Sequence, residues 1–160
     1  MIVDIEAMIV ELLQAAITDV EPRNIRGVGD ARTAINLDFV TPPSVLVEYN
    51  GETSVDQGLI GTALYRTTTN WSIYCQAASF SADVAGRLDT DESPQAIGAY
   101  NLLDAVFKAL AGRQLPRRPD DQAVAWLLPD GVEPWGVTET YVVYKSRWRC
   151  PVTRLGATVT

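Results

Sequence analysis

Apolar residues recur at three- and four-residue steps from the start of the chain: Ile2, Ile5, Ile9, Leu12, Leu13, Ala16, Ile17 and Val20. Asp4, Glu11, Gln14, Thr18 and Glu21 fall on the other side. This spacing predicts an amphipathic helix that Pro22 ends, because proline lacks the N–H the next turn needs. Residues 23–43 sustain no period, with Gly27, Gly29 and Asn36 scattered among few apolar positions, and read either as a long loop or as a short edge strand. After Pro42-Pro43 the pattern changes to alternation. Val45, Val47 and Tyr49 share one face of a predicted strand, and Asn50-Gly51 reads as a tight turn after it.

A longer alternation spans residues 64–78, where Thr67, Thr69, Trp71, Ile73, Cys75 and Ala77 share the face expected to meet the core and Asn70, Ser72, Tyr74 and Gln76 share the other. Residues 79–92 are polar and acidic. Ser93-Pro94 then predicts a helix start, since serine caps free N–H groups and proline is tolerated at the first helical position. The stripe of this second helix is Ala99, Leu103, Val106, Phe107 and Leu110, with Gln95, Asn101, Asp104 and Lys108 opposite and Gly112 placed for a left-handed end. Residues 113–121 form a Pro- and Arg-rich loop, 124–128 a short apolar strand, and Pro129-Asp130-Gly131 through Gly136 a turn region. Residues 137–152 make a last long strand. Val142, Tyr144, Trp148 and Cys150 share its apolar face, while Glu139, Tyr141, Lys145, Arg147 and Arg149 share the other.

The pattern therefore predicts one α+β domain over residues 1–160. Its expected form is a two-layer arrangement: a mixed, mostly antiparallel sheet of about four long strands, with two helices packed on it. Long loops are expected near 23–43, 79–92 and 113–121.

Composition narrows the chemistry. At 160 residues and 47% hydrophobic, the chain can build a core without disulfides or metal. No apolar run reaches the ~18 residues of a membrane-spanning helix, and the first residues lack a basic stretch of the kind that opens a signal peptide, so a soluble protein is expected. The net charge of −7 argues against a broad phosphate-binding surface. With no histidine, serine-histidine and cysteine-histidine nucleophiles and histidine-rich zinc sites cannot be assembled. Carboxylate, Lys and Tyr chemistry remains open.

The motif matches are weak. Pro119-Asp120 resembles the opening of a metal-dependent nuclease pattern, but Val143 stands where that pattern wants an acid two residues before Lys145. Gly58-Leu59-Ile60-Gly61 has apolar residues where a nucleic-acid-clamping loop wants basic ones, and Gly27-Val28-Gly29 lacks the further glycine of a dinucleotide fingerprint. Cys75 and Cys150, each on an apolar strand face, are expected as buried free thiols.

Charge placement is more informative. Residues 1–22 carry five acids and no base, Glu11 among them; residues 140–160 carry Lys145, Arg147, Arg149 and Arg154 and no acid. Unlike patches at the two chain ends suit head-to-tail self-association, although solvated faces or contact within one chain would give the same pattern. Arg113, Arg117 and Arg118 form a second basic cluster, suited to forked contacts with carboxylates or phosphates.

The chain resembles the tail terminator family of Mu-like contractile-tailed bacteriophages and prophages. The likeness is carried by the helix over residues 5–16, the strand Pro43-Ser44-Val45-Leu46-Val47-Glu48-Tyr49, the strand Trp71-Ser72-Ile73-Tyr74, the helix over residues 98–112 and the closing Tyr141-Val142-Val143-Tyr144. The resemblance implies a structural virion protein of tail and neck, assembled in the host cytoplasm, with no catalytic site, cofactor or metal. Six copies would close into a ring that stops growth of tail tube and sheath and meets the head-tail connector. Such a ring would carry about −42 charges, so DNA could pass its lumen without specific binding. Under this reading Arg113, Arg117, Arg118, Lys145, Arg147, Arg149 and Glu11 are the expected subunit and partner contacts. The alternatives are another neck or head-completion protein or, in a different class, a small cytosolic ligand-binding domain or enzyme.

Overall fold

The computed structural model describes residues 2–36, 41–56, 64–78, 98–115, 125–137 and 141–155. A five-stranded sheet lies at its centre. In chain order the elements are α1 (Ile2–Ala16), a 3-10 turn (Pro22–Asn24), β1 (Ile25–Val28), α2 (Ala31–Asn36), β2 (Ser44–Asp56), β3 (Leu64–Ala78), α3 (Ala99–Leu110), β4 (Gln114–Leu115), β5 (Ala125–Trp126), β6 (Leu128–Val137) and β7 (Tyr141–Leu155). The sheet order is β1-β2-β3-β7-β6, with β4 and β5 forming a separate two-stranded pair. Strand β1 runs parallel to β2 and every other pairing is antiparallel.

Strands β3 and β7 form the spine, paired without interruption from Leu64 opposite Leu155 to Ala78 opposite Tyr141. Strict alternation in both sequences sets that register, because a slip of one residue would turn every apolar side chain to the wrong face. Helices α1 and α3 cover one face. They bury Ile5, Ile9, Leu13, Ala99, Leu102, Val106 and Leu110 against Val45, Val47, Trp71, Ile73, Cys75, Trp148 and Cys150.

Trp71 and Trp148 lie opposite each other in the register, both fully buried. Each indole N–H donates to a hydroxyl two residues earlier on its own strand, Thr69 at 2.8 Å and Ser146 at 2.9 Å. Those hydroxyls donate in turn across the pair, Thr69 to the Cys150 carbonyl at 3.0 Å and Ser146 to the Ile73 carbonyl at 3.3 Å. The period of two that puts the tryptophans inside thus also supplies their acceptors. Cys75 and Cys150 are buried free thiols, as expected from their strand faces.

Several expectations need correction. Helix α1 stops at Ala16, its last turn closed by the Ile17 N–H on the Leu13 carbonyl at 2.8 Å. Ile17 and Val20 still reach the core, but from non-helical backbone, which the Gln14 side chain ties back: its Nε2 donates to the Pro22 and Ile25 carbonyls, both at 3.0 Å. Second, the short edge strand read in residues 23–43 is present as β1, but a helix follows it, so three helices rather than two pack on the sheet. Helix α2 is only six residues long, too short to show a period in the sequence. It covers part of the opposite face, setting Ala31, Ala34 and Ile35 on Leu46, Tyr74 and Val143.

Third, Asn50-Gly51 is not a hairpin turn. Strand β2 continues through it to Asp56, and between Tyr49 opposite Trp71 and Glu52 opposite Thr69 the strand holds one extra residue. Gly51, at φ +96°, supplies the left-handed conformation of that bulge. Fourth, Pro129 to Gly136 is no turn region but most of β6, with register shifts at Pro129/Gly131 and Pro134/Gly136. An edge strand tolerates proline because its outer N–H groups need no ladder partner. Fifth, Val137 ends β6, and the last strand starts at Tyr141. The sheet thereby has five strands, and Gln114 and Leu115, expected in a loop, pair with Trp126 and Ala125.

Helix α3 begins in the described residues at Ala99, after Gly98; Ser93-Pro94 and residues 79–92 lie outside them. Its end matches expectation, with Gly112 at φ +68°. No described helix is long and apolar enough to cross a membrane.

Candidate subunit interface

The alternation that buries one face of β7 delivers its basic residues to the other. Lys145, Arg147 and Arg149 sit opposite Tyr74, Ser72 and Asn70 of β3, so the structure brings these three candidates together as a stripe. Strand β6 lies beside them and carries acids. Lys145 Nζ is 3.8 Å from Glu133 Oε1 and 5.8 Å from the centroid of the Tyr74 ring, while Arg149 Nε is 3.4 Å from Asp130 Oδ1. These pairs are part-exposed, worth ~0–1 kcal/mol each, and their main effect is to occupy two of the three cations.

Arg147 is placed differently. It is exposed, and it lies over Gly131, which adopts φ +126°. A Cβ at that position would stand 3.1 Å from Arg147 Nη2, so the missing side chain and the left-handed backbone together make room for the guanidinium. Among the described residues Arg147 has no ion-pair partner. Leu128, opposite Arg149 on the same face, is 40% exposed, Trp126 just before β6 is 46% exposed, and Val132, opposite the core-facing Ser146, is 45% exposed on the helix side.

Helix α2 closes the other end of the same face. Asp30 caps it, accepting the Thr33 N–H at 3.2 Å and the Thr33 hydroxyl at 2.8 Å, and these bonds hold the Asp30 carboxyl below its usual range. Glu48 of β2 accepts the Ala31 N–H at 2.6 Å and the Tyr74 hydroxyl at 3.3 Å. Burial, reinforced by the Glu48 charge, pushes the Tyr74 phenol up to about 12. Trp135 completes the cluster, edge-on to Tyr74 at 5.5 Å between centroids, with the Arg32 guanidinium 5.9 Å from its ring.

The other candidates lie elsewhere. Glu11 is exposed on α1, in the helix layer and so across the sheet from the basic stripe. Arg113 follows α3, where its Nε donates to the Ala109 carbonyl at 3.2 Å and so satisfies the helix end rather than joining the stripe. Arg117 and Arg118 lie outside the described residues, as do Asp120 and Asp121. Burial pushes the Cys75 thiol up to about 12 and the Cys150 thiol up to about 11, which keeps both protonated and unreactive at neutral pH. Among the described residues no group of three or more acidic, Cys or His side chains could hold a metal.

Sequence reasoning missed Gly131, the pairing acids Asp130 and Glu133, and the exposed apolar residues of the β6 edge. Reading Pro129-Asp130-Gly131 as a turn removed them from the sheet; reading it as a bulged edge strand would have set those acids beside the bases of β7. Compared with protein-family models and with curated proteins, the chain matches none.

Proposed function

We propose that the chain is a structural assembly protein, the ring-forming tail terminator of a contractile-tailed phage, which caps tail tube and sheath and forms the joint to the head connector. One observation carries this reading: the sheet holds the acid-bearing helix α1 on one side of the subunit and the basic stripe of β7 on the other. Unlike surfaces on opposite sides cannot satisfy each other within one copy, and they pair between copies through a heterologous contact. Closure of that contact gives a ring.

The sheet edges support the same reading, because neither is a free template for strand addition. Gln14 occupies the Ile25 carbonyl of β1 and the Glu6 side chain lies across Gly27, while β6 carries two prolines and two bulges. Contacts between copies then run through side chains, which specify a rotation, rather than through an extending sheet. The acidic charge of the assembled ring favours passage of DNA over its retention.

Electron microscopy tests the reading. The purified protein should show rings, six-fold for a terminator, and should stop the elongation of tail tubes when added to growing ones. Rings that bind the connector but leave tube growth unchanged would point to another neck or head-completion protein, and a lasting monomer would reject the assembly role.

A further inference from the structure

Resting on the ring reading, we infer that the contact between copies is formed by the β6 edge of one subunit, centred on Arg147 over Gly131, and the outer ridge Ala7-Glu11-Ala15 of helix α1 of the next. The structure sorts the charged candidates into those already engaged and those that are not. Lys145 and Arg149 have Glu133 and Asp130, and Arg113 has the Ala109 carbonyl. Arg147 and Glu11 are exposed and, among the described residues, neither has an ion-pair partner. They stand on opposite sides of the sheet, so they meet only between copies.

Their surroundings match as well as their charges. Of the four large apolar side chains the described chain exposes, Leu128 shares the face of the basic stripe, opposite Arg149, and Trp126 stands just before β6. Arginine beside exposed apolar and aromatic residues is the composition of an interface centre. On α1, Ala7, Glu11 and Ala15 follow at four-residue steps and are all exposed, with Met8 and Leu12 half-buried beside them. The ridge therefore offers one carboxylate between two small residues, and small residues let a strand edge approach closely. Gly131 is the positioning residue on the other side, since its absent side chain lets the guanidinium lie across β6.

Charge exchange between copies tests the assignment. Sedimentation velocity is run on the wild type, on E11R, on R147E and on an equal mixture of the two variants, with thermal melts to confirm that each variant folds. Each variant alone should weaken association at least about tenfold, from like charges brought together. The mixture should form rings again, because copies placed in alternation present matched charges at every contact. Should R147E melt early, R147Q supplies the single-variant readout, with the same weakening expected. Wild-type rings that persist unchanged in each variant, or a mixture that stays apart, would overturn this interface while leaving the ring reading intact. A wild type that never associates would overturn both.

Discussion

The two faces of one sheet share a backbone but are built for different ends. On the helix-covered face, β3 and β7 set two tryptophans opposite each other and satisfy each indole from its own strand. On the other face the same strands carry Ser72, Asn70, Lys145, Arg147 and Arg149, with short α2 covering only one end. The larger core lies on the first face, and the second holds a smaller one around Leu46, Tyr74 and Val143. Under the proposed reading, recognition falls to the second and to the outside of α1, where charge remains available. A strand with period two divides these roles residue by residue, so neighbours in sequence can differ entirely in what they do.

The sharpest contrast lies between adjacent residues 147 and 148. Trp148→Ala should cost about 3–5 kcal/mol, since it empties a filled core site against Phe107, whose ring lies 5.0 Å away. Arg147→Ala should change monomer stability by less than about 0.5 kcal/mol. Urea unfolding of the two variants measures the difference, and comparable losses would break the division between faces.

Glu48 marks where the second face does carry structure. Its carboxylate accepts from the Ala31 N–H and the Tyr74 hydroxyl, so Glu48→Ala should cost roughly 1–3 kcal/mol and loosen α2 while β3 and β7 stay protected. Amide hydrogen exchange over residues 31–36 reads this directly.

Alkali should act first through buried groups. The folded-state values of Cys75, Cys150 and Tyr74 lie above their ordinary ones, so the folded chain holds protons that the unfolded chain releases. Stability is then full below pH ~9 and falls as pH rises toward about 12. Denaturant midpoints at pH 8, 10 and 11 should decrease in that order, and both thiols should resist alkylation at neutral pH until the chain unfolds. A rise in midpoint across this range would contradict the burial of these groups.

The smallest effects belong to the engaged surface pairs. Lys145→Ala and Arg149→Ala should each alter monomer stability by ~0–1 kcal/mol, less in high salt. Either change is measured against wild type in low and high salt by the same urea titration.

The sequence showed most clearly those elements in which one rule acted alone. Strand β3 has the predicted bounds because alternation ran unopposed, and the basic stripe of β7 was readable from the same period. Where two rules competed, local chemistry misled. Asn50-Gly51 and Pro129-Asp130-Gly131 are turn sequences, yet long-range pairing with β3 and β7 absorbs them as bulges. Helix α2 was hidden because six residues cannot display a helical stripe, and its anchor, Glu48, comes from a distant strand. The site is legible to the extent that it follows strand alternation: the period marks Lys145, Arg147 and Arg149, whereas the state of each depends on β6, whose Pro129-Asp130-Gly131 is a turn sequence.

The central claim, that unlike faces on opposite sides of one subunit close head to tail, meets its most direct test in light scattering of the wild-type protein over a range of concentrations at low salt. The account predicts a single species of about six times the monomer mass that holds its mass as concentration rises, because a closed ring leaves no contact unused. A monomer at every concentration, a dimer that grows no further, or a mass that climbs without limit would contradict it.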